Sequence, residues 1–146
     1  MLKPLMIIAI VVVLVLFVSD GILGQFSSLH LIGSKGRVKN LGVGVYWDAN
    51  CTSPVYSLDW GKVEPSSMKN ITVFVRNEGN EPSTVFLNTS GWNPANASNI
   101  MTLTWDYDGD IIDSSQTAQV MLTLSVSAVT GVIKDFNFDI IIGVNG

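Results

Sequence analysis

The stretch Lys69-Asn70-Ile71-Thr72-Val73-Phe74-Val75-Arg76-Asn77-Glu78-Gly79-Asn80 reads as a strand running into a tight turn. In an extended chain successive side chains point to opposite faces, so Ile71, Val73 and Val75 share one face and Thr72, Phe74 and Arg76 the other. Asn77 to Asn80 then supplies small polar residues that tolerate positive φ. The pattern is that of a half-buried strand in an antiparallel sheet.

Similar alternation recurs on both sides of this stretch. Before it, Leu41, Val43, Val45 and Trp47 alternate with Asn40, Gly42, Gly44 and Tyr46, and a short strand is expected from Val55 to Trp60. After it, Val85 and Leu87 alternate with Thr84, Phe86 and Asn88, and residues 90–99 read as a long polar loop. Met101, Leu103, Trp105 and Tyr107 line one face of a further strand, which ends at Asp108-Gly109, a two-residue hairpin signal. Val120, Leu122, Leu124 and Val126, then Phe136, Phe138, Ile140 and Ile142, form the inward faces of the last two strands. About seven short strands with a turn roughly every 8–12 residues predict an all-β, antiparallel immunoglobulin-like β-sandwich, preceded by an N-terminal hydrophobic helix.

The order Val73 to Asn80, Leu87 to Trp92, Leu122 to Val126, then Gly131 leading into Phe136 to Ile142 resembles immunoglobulin-like domains of the CARDB type. The resemblance covers about residues 55–144 and implies a repeatedly used surface module of archaea and bacteria. Such domains carry Pro-Gly turns where this chain has Pro65-Ser66 and Ser114-Ser115. The lead-in Gly42 to Asp48, with Cys51, is also similar to small archaeal membrane-anchored proteins, which implies a place and no activity.

Leu5 to Val18 is an apolar run between Lys3 and Asp20. A spanning helix needs roughly 20 such residues and a signal-peptide core roughly 7–15. Residues 1–26 are therefore a transmembrane anchor or a signal segment, 27–36 a tether with a short apolar strand, and 37–146 the sandwich. With Lys3 holding the short end inside, the remainder is expected outside the membrane: on the cell membrane with an extracellular domain, or secreted to the cell surface if the segment is cleaved.

The chain carries 8 Lys and Arg against 12 Asp and Glu with no basic cluster, a net charge of −4 that disfavours a nucleic-acid partner. Cys51 is the sole cysteine, so no internal disulfide holds the domain. Asn50-Cys51-Thr52, Asn70-Ile71-Thr72, Asn88-Thr89-Ser90 and Asn96-Ala97-Ser98 are N-glycosylation acceptors, placed in expected loops or on outward strand positions. Asp106, Asp108 and Asp110 are a weak calcium candidate if they converge around the expected turn; the other reading is a solvated acidic hairpin. The glycine and glutamate of a helix-loop-helix calcium site would fall here on Ile111 and Thr117.

His30 has no nucleophile motif near it, and Asp48, Asp59 and Asp113 have no evident acid/base partner. Of the tryptophans, Trp47 and Trp105 have inward parity, leaving Trp60 and Trp92 as candidates for stacking on sugars. The expectation is a non-enzymatic extracellular module with a structural or adhesion role. Its partners would be the membrane and other surface proteins or copies of itself, with no cofactor and no small-molecule substrate. The alternative is a filament subunit whose strip Leu29, Leu31 and Ile32 completes a neighbour's sheet.

Overall fold

The computed structural model describes residues 32–128 and 133–145. The apolar run Leu5 to Val18, and with it the expected N-terminal helix, lies outside the described residues. Among the described residues eight strands run β1 Ile32–Leu41, β2 Val43–Tyr46, β3 Ser57–Val63, β4 Met68–Asn77, β5 Val85–Asn93, β6 Met101–Trp105, β7 Thr117–Val126 and β8 Asp135–Val144. They form two four-stranded sheets, ordered β3-β1-β8-β5 and β2-β4-β7-β6. The all-β expectation holds, and the opening stretch is β4, paired antiparallel with β7 in unbroken register from Met68↔Ser125 to Arg76↔Thr117.

The inward positions of the two sheets meet in one apolar cluster. Val73 and Val75 on β4, Leu122 and Leu124 on β7, and Ile140 and Ile142 on β8 are fully enclosed. Each such side chain stabilises the fold by about 1.5–3 kcal/mol relative to exposure, which is why a domain without a disulfide can hold together.

The sheets are not purely antiparallel. β1 runs parallel to β8, from Gly33↔Asp135 to Leu41↔Gly143. A parallel pair needs a long crossover, and here the crossover is the whole intervening domain, so no local signal announces it. Residues 33–36, read as tether, lie within β1 between β3 and β8.

The expected single strand through residues 38–47 is two strands in different sheets. Gly42 has φ of 75°, a left-handed turn that lets the chain leave the first sheet after Leu41 and enter the second at Val43. A Cβ there would lie 2.9 Å from Cγ2 of Val144, so both the turn and the contact require glycine. The switch undoes the expected parity of Leu41, which is 55% exposed, while Val43 and Val45 are buried as anticipated.

Bulges explain the other departures. In β3 the register with β1 shifts between Ser34 and Lys35, and Gly61 sits at φ 63°. Leu58, Trp60 and Val63 consequently all face inward although the last two are three residues apart. In β5 the register with β8 shifts between Ser90 and Asn93 around Gly91 at φ 61°. That extra residue returns Trp92 to the core side, where its ring stacks on Phe138 at 4.1 Å and 5°.

Asp108-Gly109 does not close a two-residue hairpin. β6 pairs with β7 instead, from Met101↔Val126 to Trp105↔Leu122, and residues 106–116 form the connecting loop. Antiparallel neighbours in sequence here use a long connection because the loop is tied back to the start of β5 by the bridge Ser83↔Ile112.

Candidate functional site

Strand parity puts two of the four glycosylation acceptors on opposite outer faces of the sandwich. Asn70 lies on the outside of β4, opposite Thr123, whose Oγ1 donates to Asn70 Oδ1 at 2.9 Å. Asn88 lies on the outside of β5, where its Oδ1 accepts the Thr89 backbone N–H at 2.8 Å. Asn96 is in the 3₁₀ turn Ala95–Asn99, and Asn50 in the bend after β2. All four side chains are exposed.

The bend around Asn50 is built by Asp48. Its carboxylate accepts the backbone N–H of Thr52 at 3.1 Å and of Ser53 at 2.8 Å, and the Thr52 hydroxyl at 3.1 Å. The Thr52 backbone bond, foremost, holds the Asp48 carboxyl below the ordinary aspartate value. Beside it Tyr46 Oη donates to Glu78 Oε1 at 2.9 Å, and that bond raises the phenol above its ordinary value. Cys51 is free and half-buried, with Sγ 3.4 Å from Thr117 Oγ1.

Asp106, Asp108 and Asp110 are exposed in the β6–β7 loop. Asp106 Oδ1 accepts the Met121 N–H at 2.7 Å and Asp108 Oδ1 accepts the Asp110 N–H at 3.0 Å. Two of the three carboxylates thus serve backbone amides on different segments. Among the described residues no three His, Cys, Asp or Glu side chains converge where a metal ion could be held.

The tryptophan assignments change. Trp60 is 3% exposed and Trp92 is stacked on the core, whereas Trp47, expected inward, is 45% exposed. The reason is that β2 ends at Tyr46 and the chain bends over Asp48 before Trp47 can continue the strand. Ile32 pairs with Val63 at home, while Leu29, Leu31 and His30 lie outside the described residues. Among the described residues no helix is long and apolar enough to cross a membrane.

Two features escaped sequence reasoning. One is the buried Asn77, whose amide ties three segments together. The other is a trough on the outer face of the first sheet, made of two adjoining concavities of about 360 and 520 Å³ that share Lys35 and Asn137. The i, i+2 spacing of Lys35, Arg37 and Lys39 was a readable signal for a polar outer face, but residues 27–36 were assigned to a tether. Comparison with protein-family models and with curated proteins gives no match.

Proposed function

We propose that the chain is a non-enzymatic, glycan-bearing extracellular module with a structural or adhesion role, held at the membrane through residues 1–26. The observation that carries the reading is the disposition of Asn50, Asn70, Asn88 and Asn96: every acceptor is exposed, and those on β4 and β5 face away from the core on different sheets. A glycan on any of them extends into solvent without disturbing packing. The apolar run Leu5 to Val18 beside Lys3 supports export and attachment.

In this reading the fold is an immunoglobulin-like sandwich of the CARDB kind. Its partners are the membrane and other surface proteins or further copies, and it needs no cofactor. The strand-donation alternative has no specific observation in its favour, since lending the strip to a neighbour would have to strip Ile32 from Val63. Protease added to intact cells tests the address: the domain is expected to be digested while a cytoplasmic marker survives. Full protection of the domain would overturn the reading.

A further inference from the structure

The outer face of β1 presents Lys35, Arg37 and Lys39 on successive outward positions. Lys39 is held by Asp139, Nζ to Oδ2 at 2.6 Å. Lys35, Arg37 and Lys62 have no ion pair within 4 Å among the described residues, although Lys35 lies opposite Asp59 on β3 and Arg37 opposite Asp139 on β8. One end is lined by Gly33, where an added Cβ would lie 3.1 Å from Asp135 Oδ1, and by Gly61, where it would meet nothing within 4 Å. At the other end stands Tyr56, 74% exposed.

These groups decide the kind of ligand. Lys35, Arg37, Lys39 and Lys62 stand against Asp59, Asp135 and Asp139, so the trough and its rim carry a balance of only +1, little with which to draw in a polyanion. It does offer N–H donors, carboxylate acceptors and, in Asn137, both at once, side by side from three hydrogen-bonded strands. A row of neighbouring hydroxyls is the ligand surface that needs donors and acceptors alternating at short range. An exposed aromatic ring beside it offers an apolar plate for the C–H face of a pyranose. The strand scaffold fixes the spacing in advance, and the hollow falls in the size range of small-ligand sites.

We propose that this trough binds a short uncharged oligosaccharide, with Tyr56 under a sugar ring and Lys35, Arg37, Asp59 and Asn137 hydrogen-bonding its hydroxyls. The proposal names a ligand class for the adhesion reading and rests on that reading only for its setting.

Saturation-transfer difference NMR of the full chain in sugar-free detergent micelles, with cellobiose, maltose and chitobiose as probes, tests it. Saturation of ring protons is expected for at least one disaccharide, with a dissociation constant on the order of 1 mM. Tyr56→Ala is expected to weaken that binding roughly 3- to 10-fold, and Met121→Ala, on the opposite sheet, to leave it unchanged. Transfer to none of the three, binding undiminished in Tyr56→Ala, or binding only to polygalacturonate that vanishes with salt would each overturn the proposal. Failure here leaves the surface address untouched, because digestion of the domain on intact cells does not depend on sugar binding.

Discussion

Asn77 Nδ2 donates a hydrogen bond of 2.9 Å to the carbonyl oxygen of Ile112, joining the end of β4 to a loop 35 residues further along the chain. The same nitrogen donates to the Glu81 carbonyl at 2.8 Å, and Oδ1 accepts the Gly79 N–H at 2.9 Å. The side chain is fully buried, so its own amide has no water to turn to in place of these partners. The turn that follows β4 is thereby closed from inside, and the β6–β7 loop is fastened to it. Replacing Asn77 with Ala removes all three bonds, although the Ile112 carbonyl keeps the Ser83 N–H and the Glu81 carbonyl the Ser83 hydroxyl, and is expected to cost roughly 1–3 kcal/mol. Urea unfolding of the variant checks this; a midpoint within error of the parent would show that the network contributes nothing.

Two serines occupy backbone positions that favour glycine. Ser66 and Ser115 have φ of 58° and 62°, each at the third position of a turn closed by Ser67 N to Glu64 O at 3.2 Å or Gln116 N to Asp113 O at 2.9 Å. A left-handed conformation costs an L-residue about 1–2 kcal/mol, while glycine carries an entropic cost of about 0.5–1 kcal/mol. The difference favours glycine, so Ser66→Gly and Ser115→Gly are each expected to stabilise the domain by about 0.5–1 kcal/mol. Calorimetry should register a higher Tm for both, and a fall in either would contradict the turn geometry.

The Asp48 bend carries a pH signature. Its carboxyl is held below the ordinary value, first by the Thr52 backbone N–H, so its contribution is present above the unfolded aspartate value and lost as pH falls through the lower, folded one. Carbon-detected NMR titration is expected to place the Asp48 midpoint below that of an unstructured aspartate. Acidification through it should lower the protection of the Thr52 and Ser53 amides relative to their intrinsic exchange rates at the same pH, and a midpoint at or above the unstructured value would exclude the carboxylate's role in the bend.

Much of the sandwich was readable where strands are straight. Ile71, Val73 and Val75 on β4 and Phe136 to Ile142 on β8 keep strict alternation because their registers run unbroken through the strand centres. Reading failed where a glycine alters parity or direction. Gly42 sends one apparent strand into two sheets, Gly91 turns Trp92 back to the core, and the bend at Asp48 leaves Trp47 exposed. Asp108-Gly109 has the composition of a hairpin, but the strand after it belongs to β6's partner β7 only from Thr117 onward, and that long-range choice leaves no local trace. The acceptors Asn70 and Asn88 were legible because outward parity is a local property. The trough was not, because it needs β1, β3 and β8 side by side.

The central claim, an exported module that carries glycans on its outer faces, is tested most directly by mass spectrometry of the chain purified from its native membrane. The account predicts glycan-bearing peptides at Asn70 and Asn88, the acceptors on opposite sheets. Recovery of both peptides with unmodified asparagine would contradict it.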